Sequence, residues 1–306
     1  MTEQYKNDHL ADESVPMTFI RILGRPYLRT TALRCIASIF KYFFFMQSRA
    51  SFLPGLIPVS NVDHPLDSKV PFLPGKVNIY LDFVAFWVRS IGFLTRTCGR
   101  RALAPLRGFL ESMGDLYAFA AEVYSKNLST TSRPFYIARP RFFLIHSVDP
   151  HLMCIPSLHI MVVIRTYTLF REIIKNMGEE KHFSAQAEEL RRGAMAITEA
   201  VLYVKQHSVN CISAAMYAMT KYDPVLFPPE EAKLFASEIF REAAVPGKAD
   251  GEEIREHIFS LYSKFLSGGE ASNNNQPTNN SPGANPGEDW TAPLLNFLKP
   301  LRLEGK

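Results

Sequence analysis

Apolar residues recur along this chain at the 3.6-residue period of the α-helix, and no stretch alternates in the manner of a half-buried strand. The spacing predicts helices over about 30–47, 77–96, 108–126, 157–176, 184–204, 206–220, 229–243 and 251–266. Several carry readable ends. Gly178 follows the fourth as a stop, Ser184 stands where it can cap the fifth, and Pro228-Pro229 opens the seventh. Asp250 and Glu253 form a capping-box pattern ahead of Ile254, Ile258, Leu261 and Phe265. The fold class expected is all-α.

Length and composition divide the chain. Its 306 residues supply ample material for one large core, and 47% of them are hydrophobic. One helical domain is expected over 17–266. Residues 1–16 are polar and acidic, which fits a disordered N-terminus and argues against a conventional signal peptide. Residues 267–289 form a flexible low-complexity linker rich in Asn, Gly, Pro and Ser. Residues 290–306 form an apolar tail, too short to fold alone, that is expected to dock on the domain, a partner or a membrane. The sequence "FLPG" occurs at 52–55 and again at 72–75, and reads as a repeated Pro-Gly turn, not a duplication.

The net charge of +4 is modest, but it is unevenly placed. No acid lies between Glu13 and Asp63, whereas Arg21, Arg25, Arg29, Arg34, Lys41 and Arg49 stand among aromatic and aliphatic residues. A second acid-free stretch, between Asp82 and Glu111, carries Arg89, Arg96, Arg100, Arg101 and Arg107. Basic, aromatic-rich sequence suits an anionic membrane surface or a phosphorylated ligand. It argues against nucleic acid, because the charges are interleaved with Phe and Leu. Arg34 and Lys41, and likewise Asp82 and Arg89, share a helical face, so a helix lying on a surface is favoured over one that crosses lipid. Spanning helices remain the alternative, since bundles tolerate paired charges. Cys35, Cys98, Cys154 and Cys211 are scattered, indicate neither zinc nor a disulfide framework, and suit a reducing, intracellular setting.

Chemistry concentrates in the middle of the chain. Lys126 is followed after six residues by Arg133-Pro134; Pro156-Ser157-Leu158-His159 precedes an apolar helix; Lys205-Gln206-His207 opens another. In this order and spacing the chain resembles the type 2 phosphatidic acid phosphatase superfamily, whose signature is K-x6-R-P, then P-S-G-H, then S-R-x5-H-x3-D. The resemblance covers roughly 110–225, and is closer to the inositolphosphotransferase-like and lipid-phosphatase branches than to the haloperoxidases. It implies a helical bundle of that family's kind and a metal-independent phosphatase or phosphotransferase acting on a lipid-linked phosphate. It implies His207 as nucleophile and His159 as general acid, with no cofactor and no metal.

The residue types suit that chemistry. A phosphoryl group in transfer spreads charge over its equatorial oxygens and needs fixed cations and donors around it. Lys126 and Arg133 supply charge, and an arginine binds two oxygens at once. Ser157 supplies a hydroxyl, and the backbone at Ser157 and Leu158 supplies N–H groups at a helix start.

The chain also departs from the signature. Leu158 replaces its glycine. Ala200-Val201 replace Ser-Arg, which leaves Lys205 as the substitute cation. Cys211 replaces the aspartate that orients the nucleophile, which leaves Asn210, at i+3 from His207, as the candidate orienting group. An amide does not stabilise imidazolium as a carboxylate does, so a slower enzyme is expected. The alternative is a catalytically degenerate relative acting as a lipid-binding or scaffold module; a vanadate-holding haloperoxidase is a distant third. His146 and His151 read as loop residues in a Pro-studded connection, and the Phe stripes at 43–45 and 83–93 read as core. Asn127-Leu128-Ser129 is a glycosylation sequon by letter only.

Overall fold

The helix ends follow backbone chemistry. Ser14 accepts a hydrogen bond from the Met17 amide at 3.4 Å and caps α1 (Val15–Leu23). Pro26 opens α2 (Pro26–Ile39), where its missing N–H leaves no ladder bond unmade. α2 continues through a π-helical stretch, Phe40–Phe45, into α3 (Met46–Phe52). The computed structural model describes residues 8–52, 55–136, 138, 140–148, 151–243, 245–268 and 291–302. Its further helices are α4 (Val77–Leu81), α5 (Phe83–Thr97), α6 (Leu103–Tyr124), α7 (Pro140–Val148), α8 (Leu158–Asn176), α9 (Ser184–Tyr203), α10 (Val209–Tyr222), α11 (Pro229–Glu238), α12 (Lys248–Leu266) and α13 (Thr291–Phe297). Most of the linker expected at 267–289, and the first seven residues of the N-terminal segment, lie outside the described residues.

α8 and α10 form the centre. α8 is buried from Leu158 through Thr168, and α10 from Val209 through Thr220. α5, α6, α9 and α10 pack on α8, α12 packs on α10, and α2 lies along α6. α1 approaches α5 so closely that a Cβ on Gly92 would stand 2.2 Å from the Thr18 hydroxyl, so only glycine fits there. The tail from Thr291 buries Leu294, Phe297, Leu298 and Leu301 and contacts α6, α10 and α12.

All-α is the class the structure bears out, with differences in detail. α7 forms where a connection is expected. Pro140 occupies its first position, and Phe142 and Ile145 give it a buried side. α10 begins at Val209 instead of 206, because Ser208 turns its hydroxyl to the Asn210 amide and takes the cap. His207 therefore lies outside that helix. α12 begins at Lys248, and the side chains of Asp250 and Glu253 reach Lys69 instead of closing a capping box.

One short parallel pair joins β1 (Val59–Asn61) to β2 (Leu128–Thr130). Met153 adds a single bridge to Ser129, the Ser129 amide donates to the Leu152 carbonyl, and the Ser129 hydroxyl accepts from the Ile155 amide at 2.7 Å. Three-residue strands give too short an alternation to stand out in sequence. Their effect is to fasten the chain between His151 and Ser157 against the end of α6.

Candidate functional site

Ser157 is the N-cap residue of α8, but its hydroxyl makes no cap hydrogen bond. It faces Nε2 of His207 instead, at 3.2 Å. Ser157 thus leaves the first-turn amides of α8 uncapped, the condition under which a helix start attracts an anion. Leu158, in the glycine's place, is buried, and its side chain lines the cavity below. The Tyr124 hydroxyl donates to the Pro156 carbonyl and holds the turn to the end of α6.

His207 arrives from the other side. α9 ends with Lys205 in the left-handed region at φ 56°, the Lys205 amide donating to Leu202 and the Gln206 amide to Val201. This is the arrangement that usually takes glycine, and it reverses the chain into α10. The turn brings Nε2 of His207 to 3.4 Å from Nδ1 of His159, with ring centres 5.5 Å apart.

Both rings are buried. His159 stacks on Tyr80 at 4.5 Å and lies against Phe83 at 4.3 Å, and burial pushes its pKa down to about 3. His207 is held well below the ordinary histidine value, first by burial, then by the charges of His159 and Arg133. The Cys154 carbonyl acts in the opposite sense, yet Nδ1 of His207 lacks a partner of hydrogen-bonding geometry.

Other groups join that sequence reasoning assigned elsewhere. His151, expected as a loop residue, is 5% exposed and sits at φ 61°. Its Nε2 lies 2.6 Å from the Thr131 hydroxyl and 3.6 Å from Sγ of Cys154, and its ring centre is 6.4 Å from that of His207. Its recruitment depends on the pairing at Ser129, which leaves no local signature. Phe43 and Gln47, from the π-helical stretch and α3, close the space above. The small cavity, lined by these two and by His151, Met153, Cys154, Leu158, His159 and His207, measures about 20 Å³. That is room for about one water molecule and not for a phosphoryl group.

Comparison with protein-family models, curated proteins and solved structures returned no match to this chain.

The remaining expected residues diverge. Arg133 is partly buried and close enough for its charge to act on His207. Lys126 is exposed in the turn after α6. Lys205 donates to the carbonyls of Asp67 and Val70, so its ammonium is occupied away from the histidines. Asn210 donates to the Val62 carbonyl at 3.1 Å, and its amide oxygen lies 2.8 Å from Nε2 of His257. It makes no bond to His207, because His207 precedes the helix and the i+3 relationship does not form. Cys211 is fully buried, and burial drives its thiol pKa well up, so it is a neutral thiol. Among the described residues, no group of three or more His, Cys, Asp or Glu side chains is arranged to hold a metal ion.

Toward the N-terminus, Tyr27, Leu33, Phe40, Phe44, Phe45 and Phe52 are exposed, alongside the exposed Arg29, Arg34, Lys41 and Arg49. Among the described residues one helical segment, Pro74–Thr97, is long and apolar enough to cross a membrane, and 56% of its most apolar window is buried inside the fold.

Proposed function

We propose that the chain is a histidine-dependent phosphatase or phosphotransferase of the type 2 phosphatidic acid phosphatase kind, acting on a lipid-linked phosphate at an anionic membrane surface. The observation that carries this reading is the convergence of Ser157 and His159 on one nitrogen of His207, at 3.2 and 3.4 Å. Nε2 of His207 attacks phosphorus, and the bond to the leaving oxygen breaks as that oxygen takes the proton of His159. Water, or an acceptor hydroxyl, then attacks the phosphohistidine and gives its proton back to His159. Arg133, the Ser157 hydroxyl and the first amides of α8 hold the equatorial oxygens. Burial leaves both rings neutral at pH 7, which suits a nucleophile; a phosphate dianion beside His159 favours its protonated form and so supplies the acid. The exposed aromatic and basic residues of α2, the π-helical stretch and α3 provide the membrane-facing surface.

A second reading, a binding or scaffold module without chemistry, is favoured by the small volume of the cavity and by the commitment of Asn210 to Val62 and His257. Rapid-quench labelling with a short-chain phosphatidate in mixed micelles separates the two. Acid-labile, base-stable phosphate on the wild type, lost in His207→Ala and accumulating in His159→Ala, is expected for the first. No phosphoprotein and no turnover with any lipid phosphate selects the second.

A further inference from the structure

The segment that carries His151, Met153 and Cys154 into the histidine cavity turns Leu152 the other way, into a second and larger cavity of about 580 Å³. That volume falls within the roughly 300–1,000 Å³ of small-molecule sites. The same alternation runs along α3, where Gln47 faces the histidines and Met46 and Ala50 face the larger space. The two cavities share walls but no lining residue.

The larger cavity is apolar inside and charged at one point. Met46, Ala50, Leu56, Ile57, Leu128 and Leu152 supply its walls. The hydroxyls of Ser51 and Ser125 also border it, but each donates to a carbonyl one turn back, of Gln47 and Glu122. One charged residue lines it, Arg49, which is exposed and has no ion-pair partner among the described residues. The exposed Phe45 and Leu56 flank the opening, so the cavity communicates with the apolar basic surface of the N-terminal helices. An apolar interior gains by excluding water from a hydrocarbon chain, and an unpaired guanidinium at its mouth gains by meeting an anion.

We propose that this cavity binds a single-chain anionic amphiphile, a long-chain carboxylate or a lysophospholipid, with its chain between α3 and β2 and its head on Arg49. The assignment stands independently of the phosphoryl chemistry, since the histidines contribute nothing to these walls.

The test is isothermal titration of the full-length protein with laurate, lauroyl lysophosphatidate and dodecanol, each below its micellar concentration. Saturable binding at one site is expected for at least one of the two anions, and which of them binds identifies the head group. Arg49→Gln should weaken the anions about three- to tenfold and leave dodecanol unchanged. Ala50→Trp, which fills the cavity, should reduce binding of all three at least about tenfold; Met46→Trp serves the same purpose should that variant not fold. His207→Ala should bind like the wild type whatever becomes of the phosphatase reading. Non-saturating uptake of both anions, a filled-cavity variant with native circular dichroism and undiminished affinity, or an Arg49→Gln protein with unchanged anion affinity would overturn the assignment.

Discussion

Nε2 of His207 lies 3.4 Å from Nδ1 of His159 and 3.2 Å from the Ser157 hydroxyl, while Nδ1 of the same ring makes no hydrogen bond of good geometry among the described residues, the Cys154 carbonyl acting on the ring only weakly. That asymmetry bears on the chemistry proposed above. A nucleophilic Nε2 must be bare, which puts the ring proton on Nδ1, where the Cys154 carbonyl does not offer good hydrogen-bonding geometry. The other tautomer puts the proton on Nε2, toward Ser157 or His159, and is unreactive. On the proposed phosphatase reading the resting ring favours the unreactive tautomer, and slow turnover is expected.

Cys211→Asp tests this directly. In the signature that the chain resembles, the carboxylate at this position holds the nucleophile's Nδ1 proton, bares Nε2 and stabilises the charge on the phosphorylated ring. Activity toward p-nitrophenyl phosphate or a lipid phosphate should rise by about one to two orders of magnitude. His207→Ala should abolish it in both backgrounds. The substitution should also lower stability by on the order of 1–3 kcal/mol, because Cys211 is fully buried and feels the charges of Asp67 and Asp63. A folded Cys211→Asp protein without activity supports the scaffold reading.

Stability should fall with pH below neutrality. The pKa values of His159 and His257 are pushed down to about 3, and that of His207 lies well below its ordinary value. In this range the unfolded chain binds more protons than the folded one, so the stabilisation is complete above about pH 6.5 and is lost as pH drops, by about 1.4 kcal/mol per pH unit for each ring. Asp67, whose pKa is raised by burial, acts in the opposite sense and cannot produce the loss. Urea titrations at pH 7 and 5 should show it, and His159→Phe, which keeps the packing on Tyr80 and Phe83, should flatten it. An unchanged slope in that variant would remove His159 as a contributor.

Arg133 and Lys205 should separate cleanly. Arg133→Gln should weaken inhibition by inorganic phosphate or vanadate about tenfold or more. Lys205→Met should leave that inhibition alone and cost about 1–3 kcal/mol of stability, since it frees the carbonyls of Asp67 and Val70. The reverse pattern would place the anion beside Lys205.

Phe43 and Gln47 line the cavity beside the histidines, so Phe43→Ala should enlarge it. The rate of diethylpyrocarbonate modification of His207, followed by mass spectrometry, should rise about tenfold or more, at a stability cost of about 1–3 kcal/mol. Equal rates in the two proteins would mean that access is controlled elsewhere.

Co-sedimentation of the full chain with phosphatidylserine-containing vesicles should be strong at low ionic strength and weak at about 0.5 M salt. Replacing the exposed Phe44 and Phe45 with Ser should weaken it further at every salt concentration. No sedimentation at low salt would remove the membrane from the proposal.

The helices were legible because their signals are local. A 3.6-residue period, Pro at a first position and Gly178 at a stop act within a turn or two, and α8, α9 and α12 carry their own instructions. Local too were the turns that place Ser157, His159 and His207 beside helix starts. What the sequence could not determine is which groups each of these meets, because that is settled by competition among partners distant along the chain. Lys205 could have faced a phosphate, but the carbonyls of Asp67 and Val70, some 138 and 135 residues away, take its ammonium. Asn210 could have oriented His207, but Ser208 ends the turn one residue too late for the helical spacing to apply, and Val62 and His257 claim the amide. His151 enters the cavity only because Ser129 pairs with the segment from Leu152 to Ile155. Periodicity fixes a residue's face within its own helix; the partner across the interface is fixed by whichever donor and acceptor the packed fold brings within about 3 Å.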